Sequence, residues 1–364
     1  MDAMTDEQRY WVGFNRVSGI GPVRLRALKD YFGSLGRAWE AHADDLRAAG
    51  LDNRSLEALL HVRSRLDLDA EMARIEQAGL TLLTQDDPGY PRLLKETDGA
   101  PPLLYLKGEL TPDDEWALAV VGTRGATHYG KEATHRLVTD LVAQGITIVS
   151  GLAYGIDTVA HQTAIEAGGR TLAVLGCGLD IIYPAQNTKL AADITHHGAL
   201  ISEHPLGTRP EARHFPARNR IVSGLSLGVL VTEAGRDSGA LITARMASEQ
   251  GRDVFAVPGN IFNLKASGVN YLIQTGAKLV MSVNDILEEL NLRTAVEQRA
   301  VQLALPEDET ERTLLQHLSS DPAHIDDISR ATALPLPVVS ATLALMELKG
   351  LVRQVGGMNY VTAR

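Results

Sequence analysis

Apolar and polar positions change rhythm three times along this chain. Over residues 1–78 the apolar positions recur at helical spacing, with Leu25, Leu28 and Phe32 on one face. A break at Gly19-Ile20-Gly21 separates two amphipathic segments. The spacing predicts a helical module. Its Gly-x-Gly turn either aims backbone amides at a nucleic-acid phosphate, as in a helix-hairpin-helix or SAM-like unit, or makes a tight turn in a small adaptor. Residues 46–60 are the candidate degenerate partner of that hairpin. Between 79 and 110 the rhythm shortens to β runs, Leu-Thr-Leu-Leu at 80–83 and Leu-Leu-Tyr-Leu at 103–106, interrupted by Pro88, Pro91, Pro101 and Pro102. This is the pattern of edge strands leading into a sheet.

From 117 to 290, short runs rich in Val, Ile and Leu alternate with helical stretches. Strands are predicted at 117–121, 146–150, 171–175, 199–202, 228–232, 253–257 and 278–281, with helices beginning near Gly130, Asp157, Gln186, Asn219, Ser238 and Val269. Strands apolar on both faces and separated by helices predict an α/β domain over 79–290, an extended Rossmann-like fold with a doubly wound, mostly parallel sheet. Residues 291–311 are charged, contain Pro306 and show no clean period, so they read as a linker. The segment 312–364 has the order helix, helix, helix, β-wing, which predicts a winged helix. Its third helix carries no base-reading side chain, and from Glu307 onward acids outnumber bases by 8 to 5. A protein-contact or accessory role is expected there.

Four glycine turns follow predicted strands: Val-Val-Gly-Thr-Arg at 120–124, Val-Ser-Gly-Leu-Ala-Tyr-Gly-Ile-Asp at 149–157, Leu-Gly-Cys-Gly-Leu-Asp at 175–180 and Val-Pro-Gly-Asn at 257–260. Such turns let backbone N–H groups approach a phosphate, and the helix that follows adds the positive end of its dipole. Ligands of doubly wound sheets sit beyond the carboxyl ends of the strands, where all four turns fall. Gly122 and Thr123 are therefore candidate phosphate contacts. Arg124, Arg218 and Arg220 lie close to the turns in sequence, which points to a polyanion. His-Phe-Pro-Ala-Arg-Asn-Arg at 214–220 sets Phe215 among cations, a pattern that stacks one base and holds the flanking phosphates. Its alternative is a core phenylalanine with arginines in surface ion pairs.

A formal charge of −10 excludes a diffusely basic nucleic-acid binder, so positive charge must be local. No apolar run reaches the ~20 residues of a membrane span, and the N-terminus lacks a basic or apolar leader region, so a cytoplasmic protein without membrane contact is expected. Cys177 is the only cysteine, which leaves no internal disulfide and no cysteine-based zinc cluster. A nicotinamide enzyme fits poorly, because Gly122, Gly125 and Gly130 miss the G-x-G-x-x-G spacing and no acid follows the next strand. A nucleotide hydrolase of the lysine-decarboxylase-like type is the stronger rival. Ser238, Gly239 and Thr243 would bind phosphate at a helix start, but Glu249 lies beyond the turn where a catalytic glutamate is needed. Asp157 and Glu233 read as helix-start or loop structure. The sequence has no catalytic triad spacing, no metal spacing and no G-x-x-x-x-G-K-[ST] loop, so no catalysis and no cofactor or metal are expected.

Taken together, Val-Gly-Thr-Arg (121–124), Ser-Gly-Leu-Ala-x-Gly-Ile-Asp-x-x-Ala-His (150–161), Leu-Gly-Cys-Gly-Leu-Asp-Ile-Ile-Tyr-Pro (175–184), Phe-Pro-Ala-Arg-Asn-Arg-Ile-Val-Ser-Gly-Leu-Ser (215–226), Glu-Ala-Gly-Arg-Asp-Ser-Gly-Ala-Leu-Ile-Thr-Ala (233–244) and Val-Pro-Gly-Asn with Ser-Gly-Val-Asn-Tyr-Leu-Ile (257–273) resemble the DprA (Smf) DNA-processing family. The resemblance covers nearly the whole chain. It implies a homodimer that binds single-stranded DNA and loads the RecA recombinase on it, in natural transformation and DNA repair, from strands covered by single-strand-binding protein. Carried over by motif, Arg124, Phe215, Arg218, Asn219, Arg220, Ser238, Gly239, Ser267, Gly268 and Asn270 would line the DNA pocket. Tyr154 and Ala185 stand where the family usually has a basic residue, which makes Lys189, Arg213 and Lys265 candidates for compensation. The dimer contact is expected over 270–280, through apolar side chains such as Ile273 and Leu279.

Overall fold

The computed structural model describes residues 7–292, 309–319, 321–349 and 351–362. The chain divides into two compact units, Met1–Leu290 and Asn291–Arg364. The first begins with six helices, α1 (Gln8–Asn15), α2 (Pro22–Phe32), α3 (Leu35–Glu40), α4 (Ala43–Ala48), α5 (Asn53–Arg63) and α6 (Leu68–Gln77). Pro22 opens α2 at a position whose N–H has no helical partner, and Gly21 precedes it as the cap. Gly19 sits at φ +90°, where a side chain would be strained and its Cβ would meet Ser55 Oγ at 2.8 Å. Arg24 ties this turn to α5 by donating to the Gly19 carbonyl at 2.7 Å and to Ser55 Oγ at 2.6 Å. The helices bury Leu28, Leu35, Leu46, Leu56 and Leu59, and the same apolar cluster continues into Leu103, Tyr105, Leu175 and Leu200 of the sheet region and Ile194 of the helix Thr188–His197. The Tyr105 hydroxyl also donates to Asn15 Oδ1 at 3.2 Å. The helical module is therefore fused to the sheet by a shared core.

The sheet has nine strands: β1 (Thr81–Thr84), β2 (Leu103–Gly108), β3 (Ala117–Val121), β4 (Thr147–Ser150), β5 (Thr171–Val174), β6 (Gly198–Ser202), β7 (Gly228–Val231), β8 (Asp253–Ala256) and β9 (Lys278–Leu279). Their order is β1-β2-β6-β5-β4-β3-β7-β8-β9. Strands β3 to β9 run parallel, and β2 joins β6 and β1 antiparallel, so the proline-punctuated lead-in does form an edge. Every residue of β3 to β7 is buried, which explains their continuous apolar sequences. The helices are α7 (Arg92–Lys95), α8 (His128–Ala143), α9 (Ile156–Glu166), α10 (Thr188–His197), α11 (His214–Gly224), α12 (Gly239–Glu249), α13 (Ser267–Gln274) and α14 (Val283–Glu289). One expected start is corrected. Helix α11 begins at His214 rather than near Asn219, because Pro216 falls in the first turn, where a missing N–H costs nothing.

Of the expected linker, residues 293–308 lie outside the described residues, and from Glu309 the chain is helical. In the second unit, helices Glu309–Gln316, Ile325–Thr332 and Leu336–Leu348 close over Leu314, Ile328, Val339, Leu343 and Met346. A three-stranded antiparallel sheet of Ala323–His324, Asn359–Thr362 and Val352–Gln354 completes a winged helix. No single helix among the described residues is long and apolar enough to cross a membrane.

Candidate nucleic-acid interface

The chain steps from β3 outward through β4, β5 and β6 and then returns to place β7 on the other side of β3, so the strand order reverses there. A crevice opens at such a switch point, beyond the carboxyl ends of the strands. Here it is a cleft of about 1000 Å³, walled by the turns after β3, β4 and β7 and by α11. Because α11 starts at His214, Phe215, Arg218, Asn219 and Val222 fall at i, i+3, i+4 and i+7 on one helical face, and all four line the cleft. Gly122, Thr123, Arg124, Ser238, Gly239, Lys265 and Ser267 line it as well.

The floor of the cleft is a buried polar network. Arg218 is 4% exposed, and its guanidinium donates to the Gly151 carbonyl at 2.6 Å and to the Val174 carbonyl. Asp157 beneath it accepts from the amides of Gly151 at 3.1 Å and Ala153 at 3.3 Å. Burial raises the Asp157 carboxyl above its ordinary range, and Arg218 and the two amides oppose that rise. Burial also lowers Arg218 to about 10, so it stays charged at neutral pH. His161 donates or accepts at Thr171 Oγ1 over 2.7 Å, and burial with the nearby Arg218 charge lowers its pKa to about 3. Cys177 is buried, its thiol bonded to the Ile181 carbonyl at 3.0 Å and pushed up to about 11, which leaves it unreactive.

The rim is open. Arg124 is exposed, with its guanidinium 5.8 Å from the Phe215 ring centroid. Phe215 in turn packs on Tyr183, centroids 5.4 Å apart and tilted by 41°. Ser238 caps α12 by accepting from the Ala240 amide at 3.3 Å, and a Cβ on Gly239 would meet nothing within 4 Å, so that helix start faces free space. Lys265 reaches across the cleft to the Gly125 carbonyl at 2.5 Å. Arg236 and Asp237 stand on the same rim, and Arg236 lies 4.0 Å over the Tyr271 ring.

Several expected pocket residues have other work. Arg220 lies off the cleft face of α11 and forms a fork with Glu203, at 2.6 Å through each nitrogen, while its Nε donates to the Gly99 carbonyl. The ion-pair alternative holds for Arg220, and Arg218 is floor rather than an exposed phosphate contact. Asn270 is turned away to clasp Gly259, accepting from its amide at 3.1 Å and donating to its carbonyl at 3.0 Å. Gly268 sits where α13 abuts the β7 turn, and a Cβ there would approach the Gly235 carbonyl to 2.5 Å. Arg213 pairs with Glu211 at 2.9 Å at the mouth of α11, and Lys189 is exposed on α10 outside the cleft lining. Tyr154 hydrogen-bonds to Gln186 in a side pocket that shares Arg124 with the cleft. Ile273 is half-buried on α13 and Leu279 is exposed on the edge strand β9. Sequence reasoning missed Tyr183, Arg236 and Asp237. Arg236 was visible as an arginine in a glycine turn, the same signal that marked Arg124.

Glu233 accepts from the Thr127 amide at 2.8 Å and from its hydroxyl at 2.6 Å, tying the start of α8 to β7. Glu249 ends α12 in an exposed pair with Arg245 at 3.5 Å. Neither of these two acids lines the cleft, whereas Asp157 and Asp237 do.

Comparison with known proteins gives a consistent result. The model of the DNA recombination-mediator protein A family matches residues 81–291, and that of the DprA winged helix domain matches 297–358. Protein Smf of Synechocystis is 38% identical, covering 97% of this chain and 98% of that protein. Protein Smf of Escherichia coli is 39% identical, over 90% and 89% respectively. Among solved structures, DNA processing protein A of Streptococcus pneumoniae superposes with a TM-score of 0.68 and 36% identity, over 79% of this chain and 99% of that one. A Helicobacter pylori DNA processing protein A, described for its single-stranded DNA binding mode, gives 0.53 and 30%, over 58% and 95%.

Proposed function

Since the chain belongs to the DNA recombination-mediator protein A family, we propose that it binds single-stranded DNA in this cleft and hands it to a RecA recombinase. The observation that carries the reading is the Tyr183–Phe215 aromatic pair beneath the Arg124 guanidinium, on a rim with the α12 N-terminus and Lys265. Aromatic faces stack unpaired bases, and the surrounding donors suit the phosphates between them. Neither device reads a base edge, so binding tolerates any sequence. A duplex keeps its bases stacked inside and cannot use the aromatic pair.

Delivery to the recombinase rests on family membership and on the chemistry of the site. Asp157 and Glu233 are engaged by backbone amides and a threonine, which supports a protein that works by binding, making recombinase nucleation local on strands occupied by single-strand-binding protein. A homodimer would form where β9, the last strand of the sheet among the described residues, is flanked by exposed Tyr271, Leu279 and Met281, with Ile273 behind it. Two clefts on one dimer would hold a longer strand together. A gel shift run beside a nucleotide-hydrolysis assay tests the class: the reading expects a shifted single strand with no base released. Strand exchange inhibited by single-strand-binding protein tests the delivery step. Added protein restores exchange if delivery is real, and failure at every ratio with the cognate recombinase excludes it. Light scattering at micromolar protein expects a dimer.

A further inference from the structure

The turn between β8 and α13 displays its apolar side chains to water. Ile261 is 80% exposed, Phe262 88% and Leu264 85%, and they adjoin one another on a segment that contains no acid between Asn260 and Ala266. Clustered exposure of this kind marks a contact surface. The backbone beneath is fixed at both ends. The Tyr129 hydroxyl donates to the Pro258 carbonyl at 2.7 Å, and the Asn270 amide brackets Gly259. Asn260 Oδ1 accepts from the Phe262 amide at 2.9 Å, Asn263 Oδ1 accepts from the Lys265 amide at 3.0 Å, and Lys265 is held on Gly125. The fold thus presents the three side chains on a firm support.

We infer that this turn is a second base-stacking surface, taking bases of a single strand as it leaves the cleft, with Phe262 as the platform and Leu264 as its inner edge. Two observations choose nucleic acid over a protein partner. The surface is continuous with the cleft, since Leu264 and Lys265 are themselves part of its lining. On the rim beside it the cations Lys265, Arg124 and Arg236 outnumber the one acid, Asp237, a balance that complements the phosphates accompanying each stacked base. The inference rests on the reading of the cleft as a single-strand groove, and it extends the contacted strand beyond the Tyr183–Phe215 pair.

The test compares an oligothymidylate with an abasic oligomer of the same length, by fluorescence anisotropy, on the full chain. Wild type should prefer the oligomer that carries bases. Phe262→Ser should weaken oligothymidylate binding about tenfold and leave the abasic oligomer unchanged, because a lost stack of this size removes base contact and no phosphate contact. In Phe262→Trp, indole fluorescence should be quenched by oligothymidylate. Unchanged affinity in Phe262→Ser and Leu264→Ser, equal losses for both oligomers, or conversion of a dimer to monomer by Phe262→Ser would each overturn the inference. Failure of wild type to bind either oligomer would instead sink the reading of the cleft.

Discussion

The floor and the rim of the cleft are built from the same residue types and differ in what those residues touch. Arg218 on the floor is buried, bonded to two carbonyls and faced by Asp157. Arg124, on the rim, is exposed and packs against an aromatic ring. A buried guanidinium holds backbone segments together, and here it ties the turn after β4 to the end of β5. An exposed one is available to a ligand. The two arginines looked equivalent in sequence, and solvent access alone separates a structural role from a binding role.

The largest expected effect follows from the floor. Arg218→Ala leaves two carbonyls and a buried acid without their partner and should destabilise the fold by about 3–5 kcal/mol. Arg218→Lys should recover part of this, because both carbonyl bonds come from a single nitrogen of the guanidinium and an ammonium carries enough N–H groups to make them, though on a shorter stem. Chemical denaturation checks both. A stable Arg218→Ala variant that merely binds DNA more weakly would erase the distinction between floor and rim.

On the rim, Phe215→Ala should cost about 1–3 kcal/mol of single-strand affinity while the salt dependence and the melting temperature hold, since stacking releases no counterion. Isothermal titration at two salt concentrations measures this. A collapse of stability instead would mean that Phe215 is core.

His161 gives the floor a pH signature. It is neutral in the folded chain with a pKa near 3, against 6.5 when exposed, so the unfolded chain takes up the proton first as pH falls. Stability is therefore full above pH 6.5 and declines toward pH 3, with a loss of about 2 kcal/mol by pH 5. His204, lowered mainly by burial, acts in the same direction. A His161→Gln variant should show a flatter acid limb in denaturation between pH 7 and 5, and an unchanged limb would remove His161 from the account.

The smallest effect is expected from the winged helix. Its third helix shows exposed Leu336, Val338 and Leu345 and no base-reading side chain, so deleting 312–364 should leave single-strand affinity unchanged. A loss of binding in a folded truncation would reverse the assignment of that unit.

The sheet was legible because burial on both faces leaves continuous apolar runs, and β3 to β8 fall within a residue of their expected ends. Strand β9 was read too long, since only Lys278 and Leu279 pair at an exposed edge. Of the four glycine turns, those after β3 and β4 wall the cleft, whereas 175–180 and 257–260 lie outside its lining and the turn after β7 forms the remaining wall. Side-chain roles were less legible. Placing the start of α11 near Asn219 instead of His214 lost the helical phase that sends Arg218 and Asn219 into the cleft and Arg220 toward Glu203. The Asn270 clasp on Gly259 joins residues 11 apart through a turn whose path the sequence does not encode locally. Tyr183 meets Phe215 only through the tertiary packing of two loops.

The central claim is that an exposed cationic rim over an aromatic pair holds single-stranded DNA, and salt-dependent binding of Arg124→Ala tests it most directly. Affinities of wild type and variant for an oligothymidylate and for a duplex of equal length would be measured across a salt series. Wild type should prefer the single strand, with affinity falling as salt rises at a slope of about −0.7 per phosphate contacted, and Arg124→Ala should bind more weakly with a shallower slope. Equal affinity for duplex and single strand, or an Arg124→Ala variant with wild-type affinity and slope, would contradict the account.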